Sequence, residues 1–175
     1  MRGRALAMGM ILALLIAPIA PSQLNEAQSP SESASNDSPL DLLFIGNSYT
    51  SNNQLNVRVE NLLSASGFTP QVQALTSGGK TLAWHGEQAE TEGSEWFTSL
   101  RTPHDYVILQ DQSQVPGFPT SSSYWQDSME GARIIDDLAD DNGGDTFFLM
   151  TWGYRNGDES NSWRYPDYET MQQYL

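Results

Sequence analysis

The stretch Leu42-Leu43-Phe44-Ile45-Gly46-Asn47-Ser48-Tyr49-Thr50 decides the fold of this chain. Its apolar run predicts a buried strand, and the small residues that follow predict a turn. A strand that ends at Gly-x-Ser places a hydroxyl at the carboxyl edge of a sheet, where open α/β folds bind their ligands. Ser48 is therefore the candidate nucleophile.

Three further runs are also short, apolar and bounded by turn-forming residues. Together with the first run, they predict strands at residues 41–45, 71–76, 106–110 and 146–151. Segments with helical spacing of apolar residues lie between them, at residues 55–63, within 82–100 and at 129–138. Because strands and helices alternate, the sequence predicts the α/β class with a parallel sheet and right-handed crossovers.

The N-terminal residues indicate export. Residues 1–22 combine two arginines with an apolar run and small residues before a cleavage position, which is typical of a secretory signal peptide. A membrane anchor is less favoured, because Pro18 interrupts an apolar run that is short for a span. Residues 23–39 predict a flexible Ser-rich linker, and residues 40–175 predict one domain. The expected location is secreted or periplasmic, with no membrane span left after signal cleavage.

The composition excludes several classes of partner. The chain has a formal net charge of −14, and such a surface repels nucleic acids and anionic lipids. It has no cysteine, so disulfides, a lipid-modified cysteine and thiolate metal sites are excluded. The acidic cluster at 136–145 lacks the spacing of a calcium loop and is interpreted as a helix end stopped by Gly143-Gly144. No metal is predicted.

Polar turns also follow the second and third predicted strands. The segment 76–81, Thr-Ser-Gly-Gly-Lys-Thr, lacks a glycine that a phosphate-binding loop requires, but its glycines can bring a backbone N–H close to a reacting carbonyl. The segment 110–113, Gln-Asp-Gln-Ser, offers amides that could donate a hydrogen bond to an oxyanion. Ser48, Gly79 and Gln112 should therefore meet at one edge of the sheet.

In their order and placement, these three blocks resemble those of the SGNH hydrolases, and within them a branch of exported proteins. Residues 46–50 are similar to the N-terminal Gly-Asp-Ser block, with Asn47 where better-known members have Asp. Residues 77–82 resemble the second block, and Gln112 stands where most members have the Asn of Gly-x-Asn-Asp. The resemblance implies a flavodoxin-like three-layer α/β/α fold and a serine esterase without metal or organic cofactor. It also implies that Ser48 N–H, Gly79 N–H and the Gln112 side chain hold the oxyanion.

The segment after the fourth predicted strand offers candidate substrate contacts. It carries Trp152 and Arg155, which together with Asn47 are the candidate lining residues. Aromatic side chains often form platforms for sugars, so an acylated carbohydrate, or another extracellular polymer or small-molecule ester, is the expected substrate. Packing in the core or in loops is the alternative interpretation of these aromatics, and it applies equally to Trp84, Trp125 and Trp163.

The groups that should activate Ser48 are not found in the sequence. SGNH hydrolases take them from an Asp-x-x-His block near the C-terminus, and this chain has no such block and only two histidines. His85 is interpreted as a hydrogen-bonding residue at a helix start, with the rim of the site as the alternative, and His104 should lie at the far end of the sheet. We therefore expect a poorly stable fragment that lacks its C-terminal part. The alternative is a non-catalytic module that binds glycans or another partner.

Overall fold

A computed structural model describes residues 39–175. The predicted signal peptide, and the predicted linker up to residue 38, lie outside the described residues. Within the described range, no helix is long and apolar enough to cross a membrane. The elements in chain order are β1 (Leu40–Gly46), α1 (Ser48–Ser51), α2 (Leu55–Ala65), β2 (Pro70–Thr76), α3 (Leu82–Glu90), α4 (Glu95–Ser99), β3 (Tyr106–Leu109), α5 (Ser123–Asp141), β4 (Asp145–Phe148) and α6 (Tyr168–Tyr174).

The strands form one parallel sheet in the order β2-β1-β3-β4. The central strand β1 ends level with both neighbours, since Gly46 pairs with Thr76 of β2 and Ile45 pairs with Leu109 of β3. The turns that follow β1, β2 and β3 therefore lie side by side at one edge. The predicted α/β class with a parallel sheet is confirmed.

The strand order determines which face each helix covers. Because β2 and β3 lie on opposite sides of β1, right-handed crossovers place α2 on one face and both α3 and α5 on the other. The second face holds the main core, where Leu43 and Ile45 of β1 pack with Leu82 of α3 and Ile135 of α5. Burial of this apolar surface is the dominant favourable contribution to folding.

Two glycines allow α3 and α5 to approach closely. A Cβ on Gly131 of α5 would lie 2.1 Å from the Leu82 carbonyl oxygen, and a Cβ on Gly86 of α3 would lie 2.5 Å from the Gly131 Cα. No side chain fits at either position without moving the backbone of the partner helix. The sequence did not reveal this contact, because an isolated glycine in a helical pattern only weakens the expectation of a helix.

The fourth strand is shorter than predicted. The prediction of a strand at residues 149–151 is wrong. β4 ends at Phe148, where its partner strand β3 also ends, at Leu109. The Leu149 N–H still donates to the Leu109 carbonyl at 2.8 Å, and the chain then leaves the sheet. Gln110, which the sequence predicts in β3, lies just beyond it.

The helices form where the apolar spacing predicts them, with two differences. The segment 82–100 forms two helices, α3 and α4, separated by a turn in which Gly93 has a φ of 85°. No residue of α2 is buried, and its Leu62 is 68% exposed. The end of α5 agrees with the interpretation of the acidic cluster, since the helix stops at Asp141 and Gly143 follows with a φ of 86°.

Candidate active site

Ser48 is the first residue of α1 and directly follows the turn that ends β1. It is partly exposed, whereas Asn47 before it is fully buried. The N–H of a first helical residue has no partner within its own helix. Accordingly, the Ser48 N–H makes no hydrogen bond among residues 39–175. The turn thus presents both a hydroxyl and an unpaired donor at the carboxyl edge of the sheet.

Asn47 joins the three predicted blocks through its buried side chain. Its Oδ1 accepts a hydrogen bond from the Tyr49 N–H at 3.1 Å, and its Nδ2 donates to the Lys80 carbonyl at 3.1 Å and to Gln112 Oε1 at 2.7 Å. The blocks that end β1, β2 and β3 therefore meet, as the sequence predicts. The prediction that Asn47 lines the substrate is wrong, because its side chain is enclosed and fully used in holding the turns together.

Gln110 holds the turn that carries Ser48 in place. Its Oε1 accepts hydrogen bonds from the Asn47 N–H at 3.0 Å and from the Thr50 hydroxyl at 2.9 Å, and its Nε2 donates to the Asp111 carbonyl. A Cβ on Gly46 would lie 2.7 Å from Gln110 Oε1, so only glycine leaves room for this amide. The sequence placed Gln110 in a strand and missed this role.

Gly79 carries a second unpaired N–H, on the turn that follows β2. Its φ of 69° is one that glycine adopts without strain, while a Cβ at this position would meet nothing within 4 Å. The turn is closed by the Lys80 N–H, which donates to the Ser77 carbonyl at 3.2 Å, and is tied to β1 by the Ser77 N–H, which donates to the Gly46 carbonyl at 3.0 Å. Among residues 39–175 the Gly79 N–H has no acceptor.

Gln112 is half-buried and is held at both its backbone and its side chain. The backbone N–H donates to Asp111 Oδ1 at 2.7 Å, and Oε1 accepts from Asn47. Within the described part of the chain its Nε2 makes no hydrogen bond, so the amide hydrogens remain available. The three predicted oxyanion donors therefore lie on adjoining turns with their N–H groups unused.

Asp111 is a buried carboxyl group that holds these turns through one of its oxygens. Its Oδ1 accepts hydrogen bonds from the Leu82 N–H at 2.9 Å, from the Gln112 N–H and from the Ser128 hydroxyl at 3.3 Å. Burial raises the pKa of Asp111, and these hydrogen bonds oppose the rise. Asp111 thus connects the start of α3 and the second turn of α5 to the third block.

His85 lies near the start of α3, as predicted, but it is a core residue that neither makes the expected hydrogen bond nor lies at the rim of the site. It is fully buried, with ring centroids 5.1 Å from Trp84 and 5.7 Å from Trp96. Neither ring nitrogen has a hydrogen-bonding partner among residues 39–175. Burial lowers the pKa of His85 to about 4, and the positive charge of Lys80 contributes to this decrease. The nearby Gly46 backbone acts in the opposite direction, although its geometry falls short of a hydrogen bond with the ring. The side chain is therefore neutral at pH 7.

We expect His85 to make folding less stable as the pH falls from 6.5 towards 4. The unfolded chain binds a proton near the ordinary pKa of imidazole, whereas folded His85 stays neutral until about pH 4. Between these values the free energy of unfolding should decline by up to about 1.4 kcal/mol per pH unit. Urea unfolding of the wild type and of His85→Leu across this range measures the effect. The variant should show a flatter pH dependence, and parallel curves would contradict the expectation.

His104 lies at the amino end of the sheet, opposite Ser48, as predicted. Its Nδ1 is 2.7 Å from Asp41 Oδ1 at the start of β1, and its Nε2 is 3.1 Å from the Ser99 carbonyl oxygen. These contacts are structural. Among the described residues, no group of His, Asp and Glu side chains is arranged to hold a metal ion.

Trp152 and Arg155 line an open pocket of about 710 Å³ that also includes Tyr49, the residue after Ser48. The rings of Tyr49 and Trp152 are 5.1 Å apart and tilted by 52°, and Trp152 is 56% exposed. Burial raises the pKa of Tyr49, and the nearby Ser113 hydroxyl opposes this rise. The other residues that line the pocket are Gly153, Tyr154, Asp167, Tyr168 and Glu169.

The wall that carries Trp152 is anchored to α6. The Gly153 N–H donates to Gln172 Oε1 at 3.0 Å, and the Tyr154 N–H points at Met171 Sδ at 3.2 Å. A Cβ on Gly153 would lie 3.1 Å from the Tyr168 carbonyl oxygen, so the loop packs tightly on this helix. These contacts hold this wall of the pocket in place. Trp84, Trp125 and Trp163 do not line it.

Comparison with known proteins shows the fold. No protein-family model matches the chain, and no curated protein matches it. The structure is similar to a protein described as a "putative SGNH hydrolase from Slackia heliotrinireducens", with a TM-score of 0.62 and 21% identity over 78% of this chain and 70% of that one. It is also similar to a DUF4886 family protein from Bacteroides uniformis, with a TM-score of 0.57 and 20% identity over 77% of this chain and 59% of that one. The predicted flavodoxin-like α/β/α arrangement of SGNH hydrolases is confirmed at the level of fold.

Proposed function

We propose that the protein is an exported serine esterase of the SGNH type, with Ser48 as its nucleophile. The observation that carries the proposal is the set of three unused donors around Asn47, namely the N–H groups of Ser48 and Gly79 and the amide of Gln112. Such donors suit the negative charge that develops on the carbonyl oxygen during acyl transfer. Export rests on the signal-like pattern of residues 1–22.

The proposed reaction proceeds in two steps. Ser48 Oγ forms a bond to the ester carbonyl carbon while its proton passes to a base, and the three donors hold the oxyanion. The carbon–oxygen bond to the alcohol then breaks, and the alcohol leaves with the proton from the base. Water attacks the acyl-serine in the same way and releases the carboxylic acid.

The base of this reaction is not supplied by the histidines of residues 39–175. His85 is buried against aromatic rings, and His104 lies at the end of the sheet opposite Ser48. We propose that an Asp-x-x-His block follows Leu175 in the natural protein. Sequencing the source DNA beyond the codon for Leu175 tests this, because an open reading frame that contains such a block supports the proposal and an immediate stop codon overturns it.

Acylated carbohydrate is the substrate class that the pocket beside Ser48 fits best. Trp152 and Tyr49 offer apolar ring faces on which the C–H face of a sugar can pack, and Arg155, Asp167 and Glu169 supply donors and acceptors for hydroxyl groups. The volume of about 710 Å³ lies in the usual range for small-ligand sites. The chain's net charge of −14 favours a neutral ligand over an anionic one.

Trp152→Ala should weaken carbohydrate binding by about tenfold, because it removes the main stacking surface of the pocket. Isothermal titration of Ser48→Ala protein with a panel of acetylated gluco-, xylo-, manno- and chito-oligosaccharides measures binding without turnover. Trp163→Ala is the matched control, since Trp163 is 71% exposed and lies in a different groove. A panel in which nothing binds, or in which both variants behave alike, would contradict the carbohydrate assignment.

A non-catalytic binding module is the second candidate. It is favoured by the observation that no histidine among residues 39–175 hydrogen-bonds to Ser48. A fluorophosphonate probe separates the two functions, because it labels an activated serine and leaves an ordinary serine unmodified. Labelling of Ser48 in the full-length protein favours the esterase, and carbohydrate binding without labelling favours the module.

A further inference from the structure

We infer that Asn47 is a positioning residue that determines which end of the Gln112 side-chain amide faces the substrate. The inference rests on the proposed esterase function for its catalytic consequence. Its structural part concerns only the hydrogen bond between Asn47 Nδ2 and Gln112 Oε1, which is 2.7 Å long.

The orientation of Asn47 itself is fixed by its neighbours. The Tyr49 N–H can only donate, so it must meet Asn47 Oδ1, and the Lys80 carbonyl can only accept, so it must meet Asn47 Nδ2. Because the positions of the Asn47 oxygen and nitrogen are both assigned in this way, the amide cannot rotate by half a turn without losing these two hydrogen bonds, which are part-buried.

The orientation of Gln112 follows from that of Asn47. The second hydrogen of Asn47 Nδ2 needs an acceptor, and Gln112 provides Oε1. Its Nε2 is then the end left without a partner among the described residues, beside the unused N–H groups of Ser48 and Gly79. Positions 47 and 112, where the first and third blocks differ from the common SGNH pattern, are thus joined by one hydrogen bond.

An aspartate at position 47 would reverse this arrangement. A carboxylate can still accept from the Tyr49 N–H and caps a helix about as well as asparagine. It has no hydrogen to donate, so Gln112 would turn its Nε2 towards the carboxylate and place Oε1 where the oxyanion should form. An oxygen in that place repels the developing charge instead of stabilising it.

The kinetic test compares Asn47→Asp with Asn47→Ala in the full-length protein, with 4-nitrophenyl acetate as substrate. Asn47→Asp should lower kcat by about a hundredfold, as expected for the loss of one oxyanion donor, with little change in KM. Asn47→Ala should lower kcat less, because Gln112 is then free to take either orientation. If Asn47 only caps the helix, Asn47→Ala should lower kcat more than Asn47→Asp does. That result would overturn the inference.

A second measurement does not depend on activity. Hydrogen exchange of side-chain amides, followed by NMR, should show a fast-exchanging Gln112 amide in the wild type and a slower one in Asn47→Asp. A protected Gln112 amide in the wild type, or no slowing in the variant, would overturn the inference. If these shifts are observed but Ser48→Ala stays active, the esterase proposal fails and the positioning role remains.

Asn142→Asp is the matched control for both measurements. Like Asn47, Asn142 donates two hydrogen bonds from its Nδ2, here to the main-chain carbonyls of Leu100 at 3.2 Å and Leu138 at 2.8 Å, at the end of α5. Its replacement should lower stability while leaving kcat and the exchange of Gln112 unchanged. Changes in this control as large as those in Asn47→Asp would show that the effects arise from general destabilisation.

Discussion

Replacement of Ser48 by alanine should lower the kcat for ester hydrolysis by about 10⁴-fold or more in the full-length protein. The reason is that alanine removes the only protein atom that bonds to the substrate carbonyl carbon in the proposed reaction. The surrounding donors remain and can still bind the ester, so KM should change much less than kcat. Initial rates with 4-nitrophenyl acetate, measured at high enzyme concentration to detect residual turnover, provide the test.

Ser51→Ala is the control for this prediction. Ser51 lies in the same short helix and is exposed, and among residues 39–175 its hydroxyl makes no hydrogen bond to the site. Its replacement should leave kcat and the fluorophosphonate labelling of Ser48 unchanged. If Ser48→Ala keeps more than about a tenth of the wild-type rate, the hydrolysis does not proceed through Ser48.

The parts of the fold that could be predicted are those specified by residues close together in the chain. The apolar run that ends at Gly46 specifies β1, and the glycines at 78–79 specify the turn after β2. The parallel order then follows from the alternation of strands and helices. For the same reason, Ser48, Gly79 and Gln112 could be assigned to one edge before the structure was known.

The residues that support the site were not predictable because their roles depend on distant partners. The sequence places Asn47 in a turn and Gln110 at the end of a strand. Asn47 hydrogen-bonds to Gln110 and to Gln112, which lie 63 and 65 residues further along the chain. Whether such a polar side chain reaches solvent or the interior is decided by those partners. Asn47 was therefore expected to line the substrate although it is buried.

The same dependence on distant partners explains the errors at β4 and His85. The length of β4 is set by β3, because a strand continues only as far as its neighbour can accept its hydrogen bonds. His85 is polar by type, but it faces the space between α3 and α4 that Trp84 and Trp96 fill. Neither fact is encoded in the local pattern of apolar residues.

Gly131→Ala should be the most destabilising single substitution among the variants considered. Alanine is favoured over glycine inside a helix by about 1 kcal/mol. Its Cβ would lie 2.1 Å from the Leu82 carbonyl oxygen, however, and this backbone atom cannot move without displacing α3 from α5. Overpacking typically costs about 1–3 kcal/mol, and we expect the upper end of this range because the contact involves backbone; after the gain in helix propensity, the net loss should be about 2 kcal/mol. Urea unfolding measures it.

The effect of Gly131→Ala should extend to the site, because Leu82 begins α3 and its N–H donates to Asp111, which also holds Gln112. A displaced α3 would pull on this carboxylate and loosen the third oxyanion donor, so fluorophosphonate labelling should slow as well. Gly78→Ala is the matched control for stability, since a Cβ there meets nothing within 4 Å and the residue is not in the left-handed region. Equal stability of both variants would mean that α3 and α5 do not touch through their glycines in solution.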